Sequence, residues 1–421
     1  LGLSLAEEAL QHEEGSLIER GIQKLLSTAR DMADQKDWVG AGTVCQSLLT
    51  ALAENIDQAL ACDEEGDLDF FGEGIVELLG ECLVEGNPDS ERRAKWFGAL
   101  LQAEFADFGV DAGLTTGAFD LILEHAEPGE WEPLEKEIRS RLQGCADWAR
   151  QRLSEMLAAW YGENGGPEAQ AAVIRETGTP EQIMFLLAEE GQVGQALGLA
   201  RQHFVDRPGV VVRLAGQLIK DGFPEEAVAF VAGVAHEHSA YVQWLAKYYL
   251  EREEWDKALE WQRRYFLLGP SAGSFLALGS TAQKVGDWER LRPQFLQVLE
   301  GKEKWSDLLR IALAEGDARR ALDLFSRHSA AIWSDCRKDL AGAAEKDFPA
   351  EAASIYQEIA QGYIKQQQRG AYQEAARYLV RAKALYERTG ATAQWQKYIA
   401  GLKGRYPRHR ALQEEFRSAG L

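Results

Sequence analysis

The chain has 421 residues, too many for one compact core, and its 46% hydrophobic and 27% charged residues with only 11 Pro exclude a disordered chain and favour long helices. No run of about 18 apolar residues occurs, which excludes a membrane-spanning helix. The net charge of −21 lies entirely before residue 161, where 33 Asp/Glu face 12 Lys/Arg; the remainder carries 34 of each sign.

In chain order, the opening Leu1-Gly2-Leu3-Ser4-Leu5-Ala6-Glu7-Glu8 lacks the basic start of a signal peptide. It also lacks an initiating Met, so the chain reads as a piece of a longer protein. Stretches 17–32, 38–60, 70–83 and 94–108 have the apolar spacing of amphipathic helices. Breaks are expected at 63–69, at Gly86-Asn87-Pro88-Asp89 and at Glu127-Pro128-Gly129-Glu130. No Lys or Arg falls between Lys36 and Arg92. The breaker-dense Tyr161-Gly162-Glu163-Asn164-Gly165-Gly166-Pro167 marks a domain boundary. It divides an acidic, irregular helical domain (1–160) from a repeat region (161–421).

Beyond it a turn residue recurs, followed two positions on by an aromatic and three further by Ala or Leu. Clear copies are Glu253-Glu254-Trp255-Asp256-Lys257-Ala258, Gly286-Asp287-Trp288-Glu289-Arg290-Leu291 and Gly370-Ala371-Tyr372-Gln373-Glu374-Ala375. Weaker ones begin at Gly191, Gly222, Gly316 and Asp347, and a detached one runs from Lys36 through Trp38 to Ala41. The period of about 31 residues suits two helices of three to four turns joined by short loops. Glycine takes the left-handed turn, the aromatic wedges between two helices, and Ala lets their backbones approach. The unit from Ser239 to Pro270 shows this best, with Val242, Leu245, Ala246, Tyr249 and Leu250 on one face and Ala258, Trp261 and Tyr265 on the next. After Asp347 the spacing to the next copy is shorter, which predicts a continuous helix over 350–368.

Leu245-Ala246, Tyr249, Trp255, Ala258 and Pro270, then Phe275, Leu278-Gly279, Trp288 and Phe295, resemble the tetratricopeptide repeat (TPR). The expected fold is therefore all-α: a right-handed α-solenoid of TPR-like helical hairpins with a less regular acidic helical N-terminal part. Residues 369–416 are similar to the end of bacterial SWIM zinc-finger domain proteins. The likeness rests on the stretch from Gly370 to Leu379, on Ala384-Leu385-Tyr386, Trp395 and Tyr398-Ile399, and on His409-Arg410-Ala411-Leu412. In that family a zinc module precedes a helical repeat region. Its Cys pair one residue apart is absent here, so the resemblance implies the scaffold half without the zinc module.

Other chemistry reads as bland. Gly269-Pro270-Ser271-Ala272-Gly273 has the spacing of a nucleophile elbow, but a helix pattern rather than a strand precedes it. Asp67-Leu68-Asp69-Phe70-Phe71-Gly72 starts like a calcium loop and then places Leu78 where a carboxylate is required. His236 and His238 cannot grip one metal from a helix and suit a helix end. His12, His125, His203, His328 and His409 are isolated. Cys45, Cys62, Cys82, Cys145 and Cys336 are scattered and read as reduced core residues of a cytoplasmic protein. The carboxylates read as solvated helix faces. No catalytic residue, metal or cofactor is expected.

The expected binding surface is the concave lining formed by the first helix of each hairpin, carrying Lys220, Gln243, Lys247, Lys284 and Arg310 to meet carboxylates of a protein or peptide partner. The acidic N-terminal part would attract a basic partner. Residues 361–421 hold 12 basic and 4 acidic side chains. A basic tail of Lys403, Arg405, Arg408 and Arg410 gives the alternative reading, a nucleic-acid-associated accessory subunit that contacts phosphate indirectly or through this end. No membrane partner is expected.

Overall fold

The computed structural model describes residues 15–62, 68–110, 113 and 115–421; the opening residues, His12 and Asp67 lie outside them. Among the described residues every regular element is a helix. The chain divides into two compact units, Leu1–Phe204 and Val205–Leu421.

The first unit holds α1 (Gly15–Asp34), α2 (Trp38–Glu54), α3 (Ile56–Cys62), α4 (Leu68–Glu85), α5 (Ser90–Val110), α6 (Ala118–His125), α7 (Pro128–Arg141), α8 (Asp147–Thr177), α9 (Pro180–Glu189) and α10 (Val193–His203). Helix α2 is apolar on most sides and packs against α1, α4 and α5 at once, burying Ala41, Cys45, Leu48, Leu49 and Leu52. Gly42 makes this possible, since a Cβ there would come within 2.3 Å of the Trp96 indole on α5. The expected single helix over 38–60 is two. Its break is at Asn55, whose Nδ2 donates to the Ala51 carbonyl at 2.9 Å in place of a continued backbone ladder. At 127–130 the chain turns as expected and starts α7 there, with Pro128 in the first turn and a reciprocal cap between Glu127 and Glu130. At 161–167 it stays within α8, which kinks at Gly166 (φ 79°, ψ −178°) ahead of Pro167. A glycine can take that φ, and the proline then restarts the helix, so breaker residues produce a bend rather than a loop. The compact units part further on, at Phe204.

The second unit is a stack of hairpins: α11 (Pro208–Lys220) with α12 (Pro224–Val234), α13 (Ser239–Glu251) with α14 (Trp255–Leu268), α15 (Ala272–Val285) with α16 (Trp288–Gly301), α17 (Trp305–Ala314) with α18 (Ala318–His328), and α19 (Ser334–Ala344) with α20 (Pro349–Ile364). Helices α21 (Arg369–Arg388), α22 (Thr392–Arg405) and α23 (Arg410–Ser418) close it. Each hairpin turn follows the residue read as the start of a repeat. Gly222, Glu253, Gly286 and Gly316 all have positive φ, as does Gly191 between α9 and α10. In every case the next N–H returns to the carbonyl five residues back, at 2.8–3.0 Å. This is the six-to-one bond of a Schellman turn, which satisfies carbonyls that a helix end leaves open. At Asp347 the turn differs, with the Phe348 N–H on the Ala344 carbonyl.

Five residues after each repeat start read from the sequence the side chain is fully enclosed: Ala41, Ala196, Ala227, Ala258, Leu291, Ala321, Ala352 and Ala375 are all 0% exposed, although the last start, Gly370, lies inside α21 rather than at a turn. The aromatic wedge is plain at Trp288, whose indole leaves 3.0 Å for a Cβ on Gly279. It meets Phe275 edge-on at 5.1 Å, and Phe266 and Phe295 continue the contact at 4.9 Å. The core thus runs from hairpin to hairpin. Helix α20 ends at Ile364, short of the expected 368, because Gln367 turns the chain at φ 55°.

Candidate functional site

Three first helices and one second helix of the second unit line an open, concave cavity of about 790 Å³. Helix α11 contributes Val212, α13 contributes Trp244 and Leu250, α14 contributes Gln262 and Tyr265, and α15 contributes Ala277. The N-termini of these elements are well fixed. His238 caps α13 through Nδ1, accepting the Ala240 N–H at 3.1 Å, and Tyr241 donates its hydroxyl to the Val205 carbonyl at 2.8 Å. Ser271 caps α15, accepting the Ser274 N–H at 3.2 Å. That is the loop role read from the sequence, and the helix α14 before it rules out a strand-borne elbow.

Of the predicted lining residues, Gln243 and Lys247 meet at this cavity, one helical turn apart on α13. The Lys247 ammonium is exposed, with the Glu251 carboxylate 3.7 Å away. The other three are elsewhere. Lys284 lies over the Trp255 ring with its Nζ 3.5 Å from the centroid, Arg310 lies 5.0 Å over the Trp333 ring, and Lys220 is exposed at the end of α11.

Sequence reading missed Gln262. It stands on the buried stripe of α14 between Ala258 and Phe266, 8% exposed, and its buried Oε1 has no hydrogen-bond partner. A lone carboxamide on an otherwise apolar helix face was the available signal. Left unpaired in such surroundings, a carbonyl costs about 1–3 kcal/mol.

A second cavity, of about 1000 Å³, lies in the first unit between α5 and α8. Here the reading of carboxylates as solvated faces is corrected. Glu104 is 8% exposed, and its carboxylate accepts the Thr115 hydroxyl at 3.2 Å and faces Arg152 at 3.5 Å. Burial pushes its pKa up to about 7, against the opposing pull of Arg152 and Thr115. Asp107 shares the Thr115 hydroxyl at 3.3 Å.

In the tail, Lys403 donates to the Leu421 carbonyl at 2.7 Å, and its alkyl stem is half-buried. Arg405, Arg408 and Arg410 are exposed and bond no carboxylate among the described residues. The aromatics of the SWIM-like stretch pack together. Trp395 is buried between Tyr386 and Tyr398, and the Tyr372 hydroxyl lies 3.2 Å from His409 Nδ1. Cys45, Cys82 and Cys336 are buried, and burial raises all three thiols, that of Cys82 to about 11. Phe70 is 71% exposed on α4. Among the described residues no three His, Cys, Asp or Glu side chains gather as a metal site, and no helix is long and apolar enough to cross a membrane.

No family model matches the chain. A stretch of 59 residues is 42% identical to the uncharacterized protein YwqB of Bacillus subtilis (strain 168), covering 14% of this chain and 11% of that relative. Among solved structures, Naa15/Naa10 bound to HypK-THB aligns over 94% of this chain and 65% of its own at 10% identity and a TM-score of 0.35. Yeast Tom70 aligns over 95% and 99% at 13% identity and 0.27, and the P58(IPK) TPR domain over 95% and 97% at 12% and 0.19. The helical-repeat fold stands on this molecule's own helices, turns and hairpins.

Proposed function

We propose that the chain is a non-catalytic protein-interaction scaffold whose α11–α15 groove holds a protein or peptide partner. The observation that carries this reading is the cavity itself: an apolar, concave site assembled from successive hairpins, with Gln243, Lys247 and Gln262 at its wall. The test is a random peptide library displayed against the chain, with Val212→Arg as the blocked control. Binders lost on that variant, at an unchanged circular dichroism spectrum, support the groove; a library that yields no such binder removes it.

We further propose that this is the helical-repeat part of a bacterial, cytoplasmic SWIM zinc-finger-type protein, on the strength of the Tyr372, Tyr386, Trp395, Tyr398 and His409 pattern. The reading frame around this chain should then encode the Cys pair and the Cys–His pair of the zinc module, and its full product should hold zinc. A frame without those pairs overturns the assignment. A second contact, a basic partner on the acidic part near the exposed Phe70, follows from charge. Exposed Arg405, Arg408 and Arg410 support the alternative of phosphate contact. Reversing their charge should abolish salt-sensitive nucleic-acid retention if that alternative holds.

A further inference from the structure

The cavity in the first unit has a different chemistry. Helix α5 contributes Glu104, Asp107 and Phe108, α6 adds Asp120, and α8 adds Trp148, Arg152 and Glu155. Its volume, about 1000 Å³, suits a small molecule. Glu104 is the residue that asks for a ligand. It is 8% exposed, and its partners among the described residues are both long, the Thr115 hydroxyl at 3.2 Å and an Arg152 nitrogen at 3.5 Å. An ionised carboxylate offers about four acceptor positions, so this one is poorly compensated for the water it has lost. Burial accordingly pushes its pKa up to about 7.

The other walls show which group would compensate it. Arg152 lays its guanidinium 5.1 Å over the Phe108 ring, with its side chain 58% exposed. The cavity thus already holds one cation between an aromatic ring and a carboxylate. That guanidinium faces four carboxylates, those of Glu104, Asp107, Asp120 and Glu155, which leaves three in excess when all are ionised. The acids come from three helices rather than one point, and among the described residues they do not gather as a metal site. Apolar Met156 and the indole of Trp148, 55% exposed, share the walls with them. A ligand matched to such walls carries its positive charges spaced along an apolar chain. A compact divalent ion meets the charge and not the apolar surface, and a single ammonium meets one acid only.

We infer that this cavity binds a linear aliphatic triamine, its ammonium groups pairing with Glu104 and the exposed acids while its alkyl segments lie along the Trp148 indole. The site does not draw on the α11–α15 groove, so neither reading depends on the other. To pair with an ammonium, Glu104 must give up its proton. Arg152 on α8 favours that loss, whereas Asp107 on α5 and Asp120 on α6 oppose it, and Glu155 on α8 adds its charge to the same cavity. An entering cation acts in the same sense as Arg152. Binding therefore releases a proton and tightens as pH rises through 7.

Isothermal titration calorimetry of the full chain with the triamine spermidine, at about 0.15 M salt and from about pH 6 to about pH 8, tests this. Mg²⁺ and trilysine serve as competing probes, and Glu104→Gln and Trp148→Ala as variants checked by circular dichroism. The native chain should bind a single triamine, more tightly at the upper pH. Affinity should fall about tenfold on Glu104→Gln and about threefold on Trp148→Ala. Titrations in buffers of different ionisation heat should show a proton released near neutral pH by the native chain and none by Glu104→Gln. Binding that ignores both substitutions reports diffuse attraction to the acidic surface and overturns the inference, as does the absence of binding. Mg²⁺ that displaces the triamine at equal charge overturns it too. Tighter binding of trilysine with the same dependence on Glu104 assigns the site to lysines of a protein partner instead. Should Glu104→Gln fail to fold, an unchanged affinity on Trp148→Ala together with a flat pH profile on the native chain overturns the inference by itself.

Discussion

At the scale of single residues, two kinds of position hold stored cost. Glu104 keeps a proton because its surroundings exclude water: the folded pKa is raised to about 7 from an ordinary 4.5. Between those values the folded protein binds a proton that the unfolded chain has released, so stability grows as pH falls from 7 towards 4.5 and is lost as pH rises through 7. Glu104→Gln keeps the shape and the acceptor for Thr115 without the charge. The melting temperature of the variant should exceed that of the native chain at about pH 8, and the difference should shrink towards about pH 5. A constant difference across that range refutes the raised pKa. The hairpin turns hold the other cost. Glu253 and Glu303 take φ of 59° and 53°, where glycine is preferred. Glu253→Gly should raise the unfolding free energy by about 0.5–1 kcal/mol, and Gly222→Ala, at φ 93°, should lower it by about 1 kcal/mol or more. Urea unfolding followed by tryptophan fluorescence measures both.

Elements are joined by residues that sit at the start of one helix and serve its neighbours. Asp307, 6% exposed in the first turn of α17, accepts the Ala272 N–H of α15 at 2.8 Å and so satisfies a donor that α15 cannot pair internally. Next to it, Ser306 accepts the Trp333 N–H at 3.0 Å and donates to the Ala331 carbonyl at 3.3 Å, ahead of α19. Two adjacent side chains thus tie a hairpin to those on either side. Asp307→Ala should destabilise by about 1–3 kcal/mol by leaving a buried N–H unmet, and Asp307→Asn, which keeps an acceptor, by less. Equal losses in urea titrations of the two variants would show that the carboxylate charge, not the acceptor, matters there. This level also explains what the sequence could convey. The turns, the enclosed Ala258 and the wedge of Trp288 are local, because each follows from spacing within one hairpin. Asp307 and Gln262 act across hairpins, and Glu104 acts with partners on other elements. Their roles depend on which elements become neighbours, and nothing in a single helix pattern announces that. Asn55 is a middle case, a polar side chain whose local bond broke a helix that periodicity alone continued.

For the molecule as a whole, the decisive quantity is the distribution of charge. Residues 1–160 hold the full net charge of −21, whereas the remainder is balanced. Pairings such as Arg93 with Glu130 and Arg139 with Glu135 relieve only part of that excess in the first unit. The unpaired remainder repels itself, and the repulsion falls as the Debye length shortens from about 30 Å at 0.01 M salt to about 8 Å at 0.15 M. The second unit has no such burden, and its hairpins rest on apolar contacts such as Phe266–Phe295 that salt scarcely alters. Hydrogen exchange at low and physiological ionic strength separates the two cases. Amides of α1, α2, α4 and α5 should gain protection as salt is added, while those of α13 to α16 should change little. If both sets respond alike, the salt effect is general to the fold rather than a release of acidic self-repulsion. If neither responds, the excess carboxylates are already screened by their own solvation, and an acidic surface of this kind exerts too weak a field to attract a basic partner.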